Sequence, residues 1–209
     1  MRSDQGSLTF TEQARREQIV TAATEVIAET GYGQASVAKI AEHIGVAKSV
    51  VLYHFKTKND IIEAVVGAVF GAAAAAMVPA ITAAASTGDR LAAYIRSNVE
   101  FIEHNRVAAI AMVEILTGYR SPDGLRLDQA AAGAPPADAG LTVLDPESIF
   151  GDGLSSGQFR TLSPRFMKNA LRAALDGAVW ELVRDPDYDV IGYGEELVRV
   201  FDLATRVAP

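Results

Sequence analysis

The sequence predicts an all-α fold, in which an N-terminal three-helix helix-turn-helix domain is joined by a long helix to a C-terminal helical domain. Three observations support this prediction. Apolar residues recur at intervals of three and four along most of the chain, which is the period of an amphipathic helix. Residues that favour the start and the end of a helix flank these stretches. No segment alternates apolar and polar residues as a half-buried strand does.

The first helix is predicted to begin near Phe10. Thr9 and Glu12 have the spacing of a capping box, in which each side chain bonds to the backbone N–H of the other residue. Gly31 follows, and glycine is the residue that most often ends a helix. The buried stripe of this helix is predicted to consist of Ile19, Ala22, Ala23, Val26 and Ile27.

Residues 36–55 have the pattern of two short helices separated by a tight turn. Ser36 can cap the first of them, and Gly45 supplies the backbone freedom that the turn needs. Val46 is expected to fill the angle between the helices. The buried positions are predicted to be Val37, Ile40, Ala41 and Ile44 in the first helix and Val51 and Phe55 in the second.

The second short helix then presents a set of residues suited to DNA. Lys48, Ser49, Val50 and Leu52 face outward near its N-terminus, which is the part of a recognition helix that reaches base edges. Valine and leucine can contact thymine methyl groups, and lysine can donate to guanine. Phosphate contacts are expected from Tyr53, His54 and Lys58, and Ser36 and Lys39 complete the predicted DNA-binding set. The alternative is a helical hairpin that only packs inside a larger fold.

The net charge does not exclude DNA. The chain carries −7 in total, yet residues 1–60 hold seven basic and seven acidic side chains and are neutral. The remainder, with 12 basic and 19 acidic groups, carries the whole excess. Four lysines lie between positions 39 and 58, where Glu42 is the one acidic residue. An acidic protein can therefore present a basic face to DNA.

These residues resemble a known family. The segment 15–62, including Ala41-Glu-His-Ile-Gly-Val-Ala-Lys and Leu52-Tyr-His-Phe-Lys-Thr-Lys, is similar to the DNA-binding domain of the TetR family. The resemblance implies a homodimer that binds a palindromic operator. It also implies that the C-terminal helical domain serves ligand sensing and dimerisation, so that a small molecule releases the DNA. The family usually has Gly-Thr or Ala-Thr where this chain has Ser49-Val50, so the operator sequence cannot be transferred.

The long helix begins near Lys58 and continues into an alanine-rich stretch. From Ala64 to Gly88 no residue is charged, and about 20 apolar residues would span a bilayer. Alanine drives membrane insertion far less than leucine does, and Pro79 weakens the second half. We therefore predict no membrane span, but a helix buried among other helices.

The domain boundaries follow from composition and capping residues. We predict a flexible tail at residues 1–10, the DNA-binding domain at 11–57 and the C-terminal domain at 58–209, with a mobile loop at 121–141. Asp89 is expected to cap a helix that reaches toward Thr117 with a break near residues 104–106. Two further helices are predicted to start at Asp145-Pro146 and Ser163-Pro164, and the second to end at Asp185-Pro186.

The ligand-binding residues are predicted from polar groups on apolar helix faces. Asn98 shares the stripe of Leu91, Ile95, Val99 and Ile102, and Glu114 is the one charge on the next stripe, so both are expected to line a pocket beside Tyr94. The alternative is that Glu114 pairs with Arg106 or Arg172 and that Asn98 bonds to the backbone. His104, Tyr119 and Trp180 complete the predicted ligand-binding set, although Tyr119 and Trp180 suit a core or an interface as well.

Other functional classes find little support in the sequence. The chain has no cysteine, no glycine-rich phosphate loop and no nucleophile motif, and His104 lacks the partners that a metal site needs. We therefore predict no enzyme activity, no cofactor and no metal. The predicted partners are a double-stranded DNA operator, an unknown small-molecule effector and a second copy bound through the last two helices, in the cytoplasm. An activator, or a regulator controlled by a protein partner, remains the alternative.

Overall fold

The structure, a computed structural model, describes residues 9–121, 123–127, 129 and 142–207. Most of the predicted tail and most of the predicted loop lie outside these residues. The helices are α1 Phe10–Thr30, α2 Val37–His43, α3 Lys48–His54, α4 Lys58–Ala83, α5 Thr87–His104, α6 Arg106–Gly118, α7 Pro146–Ser155, α8 Pro164–Arg184 and α9 Val190–Thr205. Within the described ranges the β-structure is one isolated bridge between Phe159 and Arg206, so the prediction of an all-α fold is confirmed.

Helix starts follow the capping chemistry of the sequence. The capping box of Thr9 and Glu12 is formed at α1, and Asp145 and Ser163 cap α7 and α8 ahead of a proline. Gly31 ends α1 with a φ of 79°, a left-handed value that glycine adopts without steric cost.

One predicted cap is wrong. Ser86, and not Asp89, caps α5: its hydroxyl oxygen accepts a hydrogen bond from the backbone N–H of Asp89 at 3.0 Å. Asp89 is the third residue of the helix, and its carboxylate accepts a bond from the Ser86 hydroxyl at 2.6 Å. The predicted break is confirmed, because α5 ends at His104 and α6 begins at Arg106.

The helices pack around two hydrophobic cores, and α4 contributes to both. Its first half supplies Ile61, Ile62 and Val65 to the N-terminal core around α1, α2 and α3. Its second half supplies Met77 and Ile81 to the C-terminal core among α5, α7, α8 and α9. Helix α6 also contributes to both cores. It supplies Ala111, Met112 and Ile115 to the N-terminal core, and Tyr119, the residue after the helix, joins them there.

The prediction that α4 is a helix buried among other helices holds for one side of the helix only. The helix is long and apolar enough to cross a membrane by length and composition, but only 22% of its most apolar window is buried. One side packs against α5, while many of its alanines and glycines face outward. Alanine exposes little apolar surface and favours the helix in any environment, so this side is tolerated without a covering helix.

Candidate DNA-binding surface and ligand cavity

The helix-turn-helix has the geometry that its sequence predicts. Gly45 has a φ of 68°, and the backbone N–H of Val46 donates to the carbonyl of Ala41 at 2.9 Å, which closes the turn. Val51 and Phe55 are buried in the N-terminal core and hold α3 by one side. The other side of α3 is therefore presented outward at a set angle.

Two contacts from α1 that the sequence did not reveal anchor this unit. The Arg16 guanidinium donates to the backbone carbonyl of His54 and lies 4.0 Å from the ring centre of Phe55. The His43 imidazole lies 2.8 Å from the Glu25 carboxylate. The ends of α2 and α3 thus contact α1, so α1 helps to set the orientation of the recognition helix.

The outward side of α3 combines charge and exposed surface. Lys48 and Ser49 are exposed at its first turn, and the Tyr53 side chain is 67% exposed. Val50 and Leu52, predicted to face outward, are half-buried. An exposed tyrosine with no core role is what a phosphate or base contact requires.

Lys58 is placed differently from the prediction. Its Nζ donates to the backbone carbonyl of Tyr32 at 2.7 Å and lies 4.1 Å from the centre of the Tyr32 ring. Burial lowers the pKa of the Lys58 ammonium. A phosphate contact by Lys58 would need both interactions with Tyr32 to break.

Tyr32 is held from three sides by α4, α6 and the residue after α6. The Glu114 carboxylate accepts a hydrogen bond from the Tyr32 backbone N–H at 3.2 Å. The ring of Tyr119 meets the Tyr32 ring edge-on at 6.2 Å. We call this group of Tyr32, Lys58, Glu114 and Tyr119 the Tyr32 clamp. It joins the segment just before α2 to the two helices that continue into the C-terminal domain.

The clamp corrects both interpretations of Glu114. The side chain does not line the cavity described below, and it pairs with neither of the arginines that the sequence offered. Arg106 is engaged with Glu103 at 2.7 Å, and Arg172 with Tyr94 at 3.2 Å. Glu114 satisfies its charge at the end of α1, a partner 82 positions away that helical periodicity cannot indicate.

A cavity of about 100 Å³ lies between α4, α5, α6 and α8. Its polar lining residues, among those that the structure describes, are Tyr94, Asn98, Arg172 and Asp176. The apolar lining residues are Val69, Phe70, Ala73, Met77, Phe101, Ile102, Ala109, Met112, Val113, Leu116, Leu144, Leu175 and Val179. An apolar cavity with a few convergent polar groups is typical of a small-molecule site.

The polar groups of the cavity form a defined cluster. An Nη1–H of Arg172 donates to the Tyr94 hydroxyl at 3.2 Å. Asp176 follows Arg172 by four residues on α8, so the two side chains share one helix face. Burial raises the pKa of Asp176, and the positive charge of Arg172 offsets only part of this effect. The partner of the Asn98 amide among the described residues is not a backbone group: its Nδ2 lies 3.8 Å from the Met77 sulfur.

The predicted ligand residues divide into two groups. Tyr94 and Asn98 line the cavity, but His104, Glu114, Tyr119 and Trp180 do not. His104 is exposed at the end of α5 with its Nδ1 2.7 Å from the Glu100 carbonyl, and Tyr119 belongs to the N-terminal core. Trp180 faces outward from α8. The sequence missed Arg172 and Asp176, although both are charges beside the apolar stripe of α8.

Within the described residues, no group of three histidine, aspartate or glutamate side chains is placed to hold a metal ion.

The buried carboxylate of Asp176 is expected to make the stability of the fold depend on pH. Because Asp176 has a raised pKa in the folded state, the fold binds its proton more tightly than the unfolded chain does. Wild-type stability therefore falls as the pH rises from about 3.9, the unfolded value, through the folded pKa. Asp176→Asn carries no charge, so we expect Tm to rise by about 1–3 °C at pH 7 and to be unchanged near pH 3. Calorimetry at both pH values checks this, and a fall in Tm at pH 7 would contradict it.

The outer faces of α8 and α9 expose large apolar side chains. On α9, Val200 is 55% and Leu203 is 65% exposed, one turn apart. Trp180, Val183 and Ile191 are also exposed on these helices. Large apolar side chains exposed on neighbouring helices indicate an interaction surface. We call Trp180, Val183, Val200 and Leu203 the α8–α9 face, since Ile191 lies on the opposite side of α9 from Val200.

A basic helix-turn-helix, carried by a helical domain with its own apolar cavity, defines a DNA-binding transcriptional regulator with a ligand-sensing domain. Residues 19–65 match the family model for bacterial regulatory proteins of the tetR family. Residues 19–65 therefore form a DNA-binding domain of the tetR-family type, and the chain as a whole is similar to regulators that carry this domain. This confirms the resemblance seen in the sequence.

One relative is similar over most of the chain and another over less than half of it. The fatty acid metabolism regulator protein of Bacillus subtilis is 29% identical over 190 residues, which are 88% of this chain and 91% of the relative. The transcriptional activator FasR of Mycolicibacterium smegmatis is 32% identical over 91 residues, or 44% of this chain and 42% of the relative.

Solved structures give the same picture. The crystal structure of the regulator FadR from Bacillus subtilis in complex with stearoyl-CoA is 25% identical, with a TM-score of 0.71, and the match covers 91% of this chain and 99% of FadR. The fatty acid degradation regulator FadR of Bacillus halodurans, 23% identical with a TM-score of 0.68, covers 89% of this chain and 93% of its own and shows the same fold.

Proposed function

We propose that this chain is a cytoplasmic repressor that binds a palindromic operator as a homodimer and is released by a fatty acyl-CoA. The observation that carries this proposal is the cavity, whose lining is mostly apolar and includes a small cluster of polar groups. An acyl thioester has the same division into a long hydrocarbon and a polar group. The Bacillus subtilis relative that was solved with stearoyl-CoA supports this choice of ligand.

The size of the cavity indicates how such a ligand would act. At about 100 Å³ it is smaller than the roughly 300–1,000 Å³ of most ligand pockets. A long acyl chain must therefore push the lining side chains apart. Met77 and Met112 are unbranched and adaptable, and they lie on α4 and α6. Expansion of the cavity would thus displace these two helices.

The same two helices hold the Tyr32 clamp. Lys58 is on α4 and Glu114 on α6, and both form hydrogen bonds to the backbone of Tyr32, in the segment between α1 and α2. Movement of α4 and α6 would pull on this point and change the angle of the helix-turn-helix. In a dimer, such a change alters the spacing of two recognition helices, which must match half-sites about one DNA turn apart.

In this proposal the second subunit binds at the α8–α9 face. Two-fold pairing of these helices would build a four-helix bundle and cover the exposed apolar side chains. The chain needs this pairing because one recognition helix contacts only one half-site.

The proposed function is tested by selecting operator fragments from a genomic pool and measuring their binding by fluorescence anisotropy. We expect oleoyl-CoA at micromolar concentration to weaken operator binding at least tenfold, while CoA alone has no effect. If oleoyl-CoA neither binds the protein nor changes the operator affinity, the proposed ligand class is wrong. If no fragment is selected, the DNA-binding role of this helix-turn-helix is wrong.

A transcriptional activator under the same ligand control is the second candidate, because the relative from Mycolicibacterium smegmatis carries the name of an activator. A reporter gene behind the selected operator separates the two. Deletion of the regulator raises expression if it is a repressor and lowers it if it is an activator.

The Tyr32 clamp is expected to couple ligand binding to operator affinity. Glu114→Ala removes the acceptor that ties α6 to the Tyr32 N–H, without touching the cavity. We expect oleoyl-CoA to bind this variant as well as wild type, but its effect on operator affinity to shrink about five-fold or more, the size of a typical coupling energy. Titrations of ligand and of operator measure the two quantities. Glu100→Ala, an exposed change on α5, is the matched control and should respond as wild type does.

A further inference from the structure

The polar cluster of the cavity contains both a strong donor and a strong acceptor. Arg172 is a cation whose hydrogen bond within the described residues goes to the Tyr94 hydroxyl, which leaves further N–H groups of the guanidinium available. Asp176 lies one turn along α8 and accepts no side-chain hydrogen bond from the described residues. Both side chains line the same cavity, so a ligand that fills it meets donor and acceptor together.

This pairing discriminates between kinds of ligand group. A carboxylate would suit Arg172 but would be repelled by Asp176, and a cation would meet the reverse problem. A thioester carbonyl alone accepts hydrogen bonds and leaves Asp176 without a donor. A hydrocarbon leaves both charges desolvated, which is costly. A secondary amide offers one carbonyl oxygen to Arg172 and one N–H to Asp176, and it carries no charge.

We propose that the pair of Arg172 and Asp176 recognises an amide adjacent to the acyl thioester, as in the N-acylcysteamine unit that ends the pantetheine arm. This inference rests on the proposed function and makes it narrower. The site would take acyl thioesters of pantetheine-type carriers and discriminate against free fatty acids. Asn98, which can donate and accept, lines the same cavity and can serve a second amide of such an arm.

Two small thioesters test the proposal. Dodecanoyl-N-acetylcysteamine carries the amide, and S-butyl dodecanethioate has a similar length without it. Calorimetric titration of wild type is expected to show about tenfold tighter binding of the first, the usual gain from hydrogen bonds to charged groups. Dodecanoate should bind more weakly than the amide thioester. Equal affinity of the two thioesters overturns the proposal.

Substitutions test whether Arg172 and Asp176 cause the preference for the thioester that carries the amide. In Arg172→Met and in Asp176→Leu the affinity ratio of the two thioesters should fall to about one, while Arg165→Met, an exposed change on the same helix, should keep it near ten. Both ligands are titrated into the same preparation, so the ratio does not depend on the fraction of protein that is folded. A ratio near ten in both cavity variants overturns the proposal.

The test also separates this inference from the proposed function. If oleoyl-CoA releases the operator but the two thioesters bind alike, the acyl-CoA function stands and the amide recognition is wrong. If neither thioester nor oleoyl-CoA binds, both proposals are wrong.

Discussion

Replacing Lys48 and Tyr53 together with alanine is expected to weaken operator binding by about 100-fold or more. Lys48 is exposed at the first turn of α3, and the Tyr53 side chain is 67% exposed on the same outward side. A lost base contact costs about 1–3 kcal/mol, and the two losses add when the contacts are separate. Fluorescence anisotropy with the selected operator measures the change. The salt dependence of binding should also become shallower, because one positive charge is removed.

The controls for this variant separate DNA contact from folding. Neither side chain is part of a hydrophobic core, so thermal melting should stay within about 2 °C of wild type. Tyr53→Phe keeps the ring and removes only the hydroxyl, and it should recover part of the affinity. If the double variant binds the operator as tightly as wild type, α3 is not the recognition helix.

Val200→Asp combined with Leu203→Asp is expected to convert the proposed α8–α9 dimer into monomers. Both side chains are more than half exposed in the single chain and are one turn apart on α9, so pairing across a two-fold axis would bury them. Carboxylates at these positions would be desolvated and would face the same charges on the partner. Light scattering should report 22.2 kDa, the mass of one chain, in place of twice that value.

Loss of the dimer should also reduce operator affinity by about 100-fold or more, because only one half-site is then bound at a time. Phe10→Asp is the matched control: it introduces a carboxylate at an apolar side chain that is 90% exposed on α1, far from the α8–α9 face. That variant should stay dimeric. A dimeric Val200→Asp, Leu203→Asp double variant would show that another surface joins the subunits.

Features that depend on a few neighbouring residues could be predicted from the sequence. The capping box of Thr9 and Glu12, the turn at Gly45 and the proline-led starts of α7 and α8 are set by local backbone chemistry. Periodicity placed Asn98 on an inward face, and the structure puts it in the cavity wall. The helix-turn-helix could be recognised for the same reason, since its buried positions all lie within 20 consecutive residues.

Contacts between distant segments were decided only by the tertiary structure. Glu114 was expected to line a pocket or to pair with an arginine, but its partner is the backbone of Tyr32. Lys58, expected to face DNA, turns inward to the same residue. Helical period tells which side chains share a face, but not which helix that face meets or at what angle. The DNA-binding class of this protein was therefore determined by its local sequence, whereas the cavity, its charged pair and the Tyr32 clamp arise from how the helices pack.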